Sequence, residues 1–224
     1  MSPRGGSPKG RAVISASASQ KERRGVGPMT PKGRERRTEI LRAARKVFEE
    51  HGFLDTRVAD IVAAADVAQG TFYTYFDSKE AVFAEVARQV IERMMDELHT
   101  EYVPDMEPVE RIRRAMVRFI DAFRPNAVMI GLIEQVGTFT PEMRRLRLQL
   151  RESFVDRTAR GIRRQQEEGV ADPDVDAVML AEILGAMVDQ TCYIWFFLGK
   201  KFDTALVVES LTTVWARGIG IKGA

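Results

Sequence analysis

The chain has 224 residues, of which 45% are hydrophobic and 29% are charged. This composition predicts a folded protein of one moderate domain or two small ones, and it excludes a collagen-like chain, a coiled-coil rod and a wholly disordered chain. The longest apolar run, residues 194–198, is far shorter than the roughly 18 residues of a membrane-spanning helix. We therefore expect a cytoplasmic protein that does not interact with a membrane.

The charge is unevenly distributed along the chain. Residues 1–37 contain ten Lys or Arg and two Glu, a net charge of +8, whereas residues 38–224 contain 24 basic and 30 acidic side chains, a net charge of −6. Because residues 1–33 are also rich in Gly, Pro and Ser and lack an apolar period, we expect them to form a disordered basic tail. A basic tail on an acidic body is typical of a protein that binds nucleic acid; a tail that only keeps the protein soluble is the alternative.

The segment after the tail shows the apolar period of short helices. Gly52 is a good stop signal for the first helix, and Thr56 can cap the second. The second and third helices are separated by only four residues, which predicts a helix-turn-helix. A long fourth helix follows and leads into the rest of the chain. The predicted helices span 34–51, 57–64, 69–76 and about 78–100.

The second half continues the helical pattern, and no stretch alternates as a strand would. Prolines fall at plausible helix boundaries, where the missing N–H is tolerated. The predicted helices span about 108–123, 125–138, 141–168, 174–198 and 203–219. The sequence therefore predicts an all-α protein of about nine helices.

Residues 60–83 closely resemble the DNA-binding segment of the tetracycline-repressor (TetR) family, which places a helix-turn-helix domain at 34–83. The first helix adds the pair Ala43-Ala44 and the ending Phe48-x-x-x-Gly52-Phe53. Family members usually carry Gly in the turn where this chain has Asp66, so we expect Asp66 to adopt a left-handed backbone, which Asp tolerates better than most residues.

A recognition helix presents polar side chains to the major groove and packs its other face inward. In the third helix we expect Phe72 and Phe76 to face inward. By resemblance, Thr56 and Lys79 would clamp phosphates at the starts of the second and fourth helices, and Arg36 and Arg37 would reach the neighbouring backbone or minor groove. The other candidate contacts to double-stranded DNA are Gln69, Gly70, Thr71, Tyr73, Thr74 and Tyr75.

Residues 101–224 are predicted to sense a ligand and to form a homodimer, as the resemblance implies. The last two helices are the candidate dimer interface, with monomer core as the alternative for their apolar faces. The bundle between is rich in Met and aromatic residues, which suit an adaptable apolar pocket but more often form core. The candidate pocket residues are Phe119, Met129, Ile133, Met143, Phe154, Met187, Gln190, Thr191 and Trp195, with Glu134, Gln135 and Asp189 as further polar groups.

The seventh predicted helix carries eight arginines between residues 144 and 164. A solvated basic face is the ordinary interpretation; the alternative is that some arginines receive an anionic group, such as the phosphates of an acyl-coenzyme A.

Few side chains are available for other chemistry. With Cys192 as its single cysteine and only two histidines, the chain can form no multi-cysteine metal site. Residues 218–223 satisfy G-x-G-x-x-G, but they follow a predicted helix instead of preceding one. We predict no catalytic residue, no metal site and no cofactor. The prediction is a repressor released from an inverted-repeat operator by a small, largely apolar inducer; a corepressor-dependent regulator, a DNA-organising protein without a sensor and an apolar-ligand carrier are the alternatives.

Overall fold

The computed structural model describes residues 30–98 and 106–221. Within those ranges every regular element is helical, which confirms the all-α prediction. The α-helices are α1 (Pro31–Asp55), α2 (Val58–Ala64), α3 (Gln69–Tyr75), α4 (Lys79–Glu97), α5 (Pro108–Phe123), α6 (Ala127–Val136), α7 (Pro141–Glu167), α8 (Ala177–Cys192) and α9 (Thr204–Gly218).

Helix α1 begins earlier than the sequence pattern indicated. The hydroxyl of Thr30 accepts a hydrogen bond from the N–H of Gly33 (3.2 Å), and Pro31 occupies the first helical position, where its missing N–H costs nothing. Residues 31–33 are therefore helical, contrary to the predicted tail. The remainder of that tail lies outside the described residues.

The end of α1 is bent by a residue with a left-handed backbone. Gly52 has φ 76°, and the chain then makes one more turn before Thr56. Helix α2 is capped by Arg57 and not by Thr56 as predicted, since the N–H of Arg57 donates to Oδ2 of Asp60 (2.8 Å). Thr56 is instead only 1% exposed.

Helices α1 to α4 enclose an aromatic core. Phe48 and Phe72 are fully buried, and the Phe48 ring meets the Phe83 ring edge-on at 5.1 Å between centroids. Phe83 belongs to the first half of α4. We call helices α1 to α3 together with this first half of α4 the reading unit. The second half of α4 packs with the second unit. The apolar burial of these rings fixes the helix-turn-helix on the rest of the molecule.

The second unit is a bundle of α5 to α9. Two of the expected helices differ in detail: a 3-10 turn, Arg124–Asn126, precedes α6, and a π-helical turn, Tyr193–Phe197, follows α8. Pro125 supplies no N–H to an α-helix, which accounts for the first difference. In the π turn, Trp195 and Phe196 stack at 4.4 Å between ring centroids.

By length and composition, one helical stretch in the described ranges, Ala177–Phe197, could cross a membrane. Such a signal is weak, because core helices of soluble proteins share it. In this fold the inner face of α8, with Ala181, Leu184 and Val188, is buried within the bundle.

Candidate DNA interface and ligand cavity

The turn between α2 and α3 has the backbone that the sequence predicted. Asp66 has φ 50°, and it is the one non-glycine residue with positive φ among those described. The N–H of Asp66 donates to the carbonyl of Ala63 (3.3 Å), and that of Val67 donates to the carbonyl of Val62 (3.1 Å). These bonds close the end of α2 and turn the chain into α3.

Helix α3 has one buried and one exposed face. Phe72 is fully buried and Phe76 is 5% exposed, as predicted. The exposed face carries Gln69, Gly70, Tyr73 and Thr74, while Thr71 and Tyr75 are half-buried. Tyr73 is 49% exposed, although the edge of its ring rests on Phe72. A Cβ placed on Gly70 would meet nothing within 4 Å, so another molecule can approach the backbone there.

Two residues expected at phosphates are engaged inside the protein. The Lys79 ammonium donates to the carbonyls of Phe53 (2.7 Å), Thr56 (2.8 Å) and Leu54 (3.3 Å) and lies 4.5 Å from the centroid of the Phe53 ring. The Thr56 hydroxyl donates to the carbonyl of Gly52 (2.6 Å). The cause is the bend at Gly52: it ends the α1 hydrogen-bond pattern and leaves carbonyls that these side chains satisfy.

The two candidate arginines lie on α1 itself. Arg36 pairs with Glu39 at 2.9 Å. Arg37 pairs with Glu85 of α4 at 3.1 Å and lies 5.1 Å from the centroid of the Phe76 ring. Arg37 therefore joins α1, α3 and α4, and this structural role was not apparent from the sequence.

A cavity of about 630 Å³ lies among α4 to α8, with Trp215 of α9 at its edge. Of the nine candidate pocket residues, Phe119, Ile133 and Phe154 line it, and so do the polar candidates Glu134 and Asp189. Helix α4 contributes Ile91, Met94 and Leu98, which sequence reasoning missed.

The other six pocket candidates lie elsewhere. Met129 and Met143 are buried in the core, where a flexible apolar side chain fills gaps. The Thr191 hydroxyl donates to the carbonyl of Met187 (2.7 Å) on its own helix. Gln190 is exposed, and Trp195 belongs to the aromatic cluster after α8. None of these six lines the cavity.

The inner polar part of the cavity contains acidic and basic side chains together. Glu134 of α6 forms an ion pair with Arg147 of α7, and Arg151 pairs with Glu182 of α8 at 2.8 Å. Burial, and next the charge of Glu134, raise the pKa of Asp189 to about 6. This carboxyl group is therefore protonated at a higher pH than an exposed aspartate is.

Arginines from two helices also line the cavity. Helix α5 contributes one row and α7 a second, with the same i, i+3, i+7 spacing in each, and Arg147 and Arg151 lie nearer the start of α7. The shared spacing places each row on one helix face. The same spacing is visible in the sequence, and it is the signal by which the α5 row could have been predicted. The two rows are Arg111, Arg114 and Arg118, and Arg157, Arg160 and Arg164.

The outer faces of α8 and α9 expose apolar side chains. Met179 and Ile183 of α8 are 58% and 57% exposed, and Leu206 and Val214 of α9 are 66% and 49% exposed. The inner faces of the same two helices fill the core of the monomer, which is the alternative that the sequence left open for them. Their buried residues include Ala181, Leu184, Val188, Val207 and Leu211.

In the part of the chain that the structure describes, no group of three or more His, Cys, Asp or Glu side chains is placed to hold a metal ion. Cys192 is buried. Burial, followed by the charge of Asp189, raises the pKa of its thiol to about 12, so the thiol is not a ready nucleophile.

Comparisons with known proteins agree with this architecture. Residues 40–86 match the family described as bacterial regulatory proteins, tetR family, and residues 112–220 match the C-terminal domain of the transcriptional regulator EthR. The EthR regulator of Mycolicibacterium smegmatis is 28% identical over 200 residues, which are 88% of this chain and 91% of that protein.

Solved structures with the same fold include two proteins of low sequence identity. The fatty acid degradation regulator FadR from Bacillus halodurans has a TM-score of 0.71 and 19% identity, over 88% of this chain and 100% of that one. Salmonella enterica GusR also has a TM-score of 0.71, with 22% identity over 83% of this chain and 95% of that one. At these identities the likeness concerns the fold.

Proposed function

The chain belongs to the TetR family of helix-turn-helix transcriptional regulators, and on that premise we propose that it is a homodimeric repressor which an amphiphilic ligand releases from an inverted-repeat operator. The observation that carries the DNA-binding part is the division of α3, with phenylalanines inside and polar side chains outside. A helix of this kind fits the major groove. Such a regulator would act in the cytoplasm, because the bacterial chromosome lies there.

We choose the residues proposed to contact DNA by their exposure to solvent. Gln69, Gly70, Tyr73 and Thr74 face outward on α3 and are our main candidates, with Thr71 and Tyr75 at the edge of the contact. Thr56 is left out because it is buried. Arg36 stays a candidate phosphate contact, since its side chain on α1 is 39% exposed.

The exposed apolar faces of α8 and α9 support a dimer of two such chains. One helix-turn-helix reads only a few base pairs, and a symmetric pair reads two half-sites about 34 Å apart. Burying Ile183 and Leu206 against a second copy would remove apolar surface from water. Ile183→Glu should yield monomers by light scattering, whereas Val117→Glu on α5, a site of 41% exposure outside this face, should leave the dimer intact.

The cavity supports a ligand with an apolar chain and an acidic group. Its walls include Ile91, Met94, Phe119 and Phe154, and rows of arginine line it on α5 and α7. A long acyl chain suits the first feature and a carboxylate or phosphate suits the second. The fold is shared with a protein described as a fatty acid degradation regulator, which is consistent with a ligand of the fatty acyl class.

Release from DNA would be a shift between two conformations. A ligand weakens operator binding only by its differential affinity for the conformation in which the two reading helices are misplaced. Helix α4 is the natural connection, because it lines the cavity and also packs its Phe83 against Phe48 of α1.

The proposed function is tested by selecting random duplex DNA on the full chain at physiological salt and sequencing the retained molecules. We expect an enriched inverted repeat, and Tyr73→Ala should weaken binding to it without lowering the melting temperature. Retention of DNA without any enriched sequence would contradict the operator and favour a DNA-organising protein.

A further inference from the structure

Arg157 of α7 holds the end of α4. Its guanidinium donates to the carbonyl of Leu98, and a longer bond reaches the carbonyl of Met95 (3.5 Å). Leu98 is the C-cap residue of α4, and a cation is a favourable partner for carbonyls at the end of a helix. Arg157 thereby connects the cavity wall to the helix that carries the reading unit.

Arg157 lies beside a second arginine, Arg160, at the cavity wall. Burial, and after it the neighbouring charge of Arg160, lower the pKa of Arg157. Arg147 and Arg151 have glutamate partners, but within residues 30–98 and 106–221 no carboxylate pairs with Arg157 or Arg160. Two like charges side by side at a cavity wall form a place where an anion would be favourable.

We propose that the acidic head group of the ligand binds Arg157 and Arg160 and thereby takes Arg157 away from the carbonyls that end α4. The proposal rests on the ligand-released repressor described above and adds the anchor of the ligand and the first step of the release. The apolar chain would lie along Ile91 and Met94, which α4 turns toward the same cavity.

The exchange is favourable because a carboxylate or phosphate brings a full negative charge and can accept two parallel hydrogen bonds from a guanidinium, whereas a backbone carbonyl offers only a partial charge. A carboxylate or phosphate therefore competes well against a backbone carbonyl for the guanidinium. Once uncapped, the last turn of α4 loses its tie to α7. Since α4 packs on α1 through Phe83 and Phe48, a shift of α4 would move the reading unit.

Binding and release are measured on the full-length dimer with the operator obtained by selection. The probes are dodecanoate, dodecanoyl-coenzyme A, coenzyme A alone and neutral dodecanol, so that carboxylate, phosphate and chain contributions are separated. The variants are Arg157→Gln, Arg160→Gln and, as a matched control on the exposed part of the same helix, Arg163→Gln, which does not line the cavity. Melting temperatures check that each variant is folded.

For the unaltered chain we expect at least one of the two acidic amphiphiles to bind about tenfold more tightly than dodecanol and to release the operator. Arg157→Gln should abolish that preference and also weaken operator binding without ligand by about tenfold, because α4 has lost its cap. Arg160→Gln should reduce the preference. Arg163→Gln should change neither.

Several results would overturn the proposal. Equal binding of dodecanol and both acids would contradict the head-group site. Unchanged ligand-free operator binding in Arg157→Gln would contradict the link to α4. Neither result would contradict the proposed repressor function. If none of the probes binds while the operator is still recognised, the head-group site and the ligand class fail together. If no operator is enriched in the first place, the proposed function itself fails.

Discussion

Oδ1 of Asn126 accepts a hydrogen bond of 3.0 Å from Nη2 of Arg45, which lies 81 residues earlier in the chain. The same nitrogen of Arg45 also reaches the carbonyl of Pro125 (3.3 Å), and its Nε donates to Glu49 (2.8 Å). Asn126 in turn donates to the carbonyl of Ala122 (2.8 Å). The junction between α5 and α6, beside the cavity, is thus tied directly to α1.

This bridge should be measurable as an energetic coupling. Asn126 is 8% exposed, so Asn126→Ala should lower the free energy of unfolding by about 2 kcal/mol, since it leaves buried groups without partners. Arg45→Ala should cost less. Urea unfolding of both single variants and the double variant should give a coupling of about 1 kcal/mol; additive effects would mean that the bridge contributes no energy of its own.

The π turn after α8 depends on the absence of a side chain at Gly131. A Cβ there would lie 2.2 Å from the ring of Phe197. Gly131→Ala should therefore destabilise the protein by about 1 to 3 kcal/mol, as overpacking does. Gly161→Ala on α7 is the matched control: nothing lies within 4 Å of its Cβ, and it should stabilise by up to about 1 kcal/mol.

Thermal unfolding distinguishes the two glycine variants. Combining Gly131→Ala with Phe197→Ala should recover part of the loss, because the clashing ring is gone. If Gly131→Ala behaved like Gly161→Ala, the contact with Phe197 would not constrain the fold.

Asp66 should be a site where glycine stabilises. Its φ of 50° costs a residue with a Cβ about 1 kcal/mol relative to glycine. Asp66→Gly should raise the free energy of unfolding by roughly this amount, and Asp66→Val should lower it by more than 1 kcal/mol, since a β-branched residue is poorly tolerated there. Chemical denaturation measures both, and a loss of stability in Asp66→Gly would contradict the strain.

Asp189 should make stability depend on pH. Its pKa of about 6 in the folded chain lies above the ordinary value of 3.8, so the folded state binds more protons between those values. The free energy of unfolding should therefore fall by up to about 3 kcal/mol as pH rises from about 4 to about 6. Above about pH 6 the contribution of Asp189 should change little.

Asp189→Asn should remove this dependence and raise the stability at pH 7. Urea unfolding from pH 4 to pH 7 measures the slope. The exposed Asp156 of α7 offers a control, since Asp156→Asn should keep the slope of the unaltered chain. The same slope in Asp189→Asn would assign the titration to another group.

The sequence predicted the positions of most helices because apolar period, proline and capping residues act locally. Pro108 and Pro141 open α5 and α7 where the pattern placed them, and the left-handed turn at Asp66 followed from the local turn chemistry. Local signals failed at the π turn, where the packing of Phe197 against Gly131 of a distant helix contributes to the backbone.

The cavity was harder to predict than the recognition helix. On α3 the inward faces of Phe72 and Phe76 follow from one helix alone, whereas a cavity is bounded by five helices whose rotation the sequence does not give. Methionine marks both core and pocket, and Met129 proved to be core. The roles of Thr56 and Lys79 depend on the bend at Gly52, which leaves backbone carbonyls for both side chains to bind. For Lys79, the nearest of these carbonyls in the sequence is that of Thr56, 23 residues earlier.

Lys79 provides the sharpest test of that last point. If it contacted only a DNA phosphate, Lys79→Ala would lower the salt dependence of operator binding by about one unit of slope and leave folding unaffected. With its ammonium on three carbonyls, Lys79→Ala should instead lower the free energy of unfolding by about 2 kcal/mol and leave the salt slope unchanged. Lys46→Ala, at a site of 72% side-chain exposure on α1, should cost little stability. A reduced slope without loss of stability would return Lys79 to the phosphates.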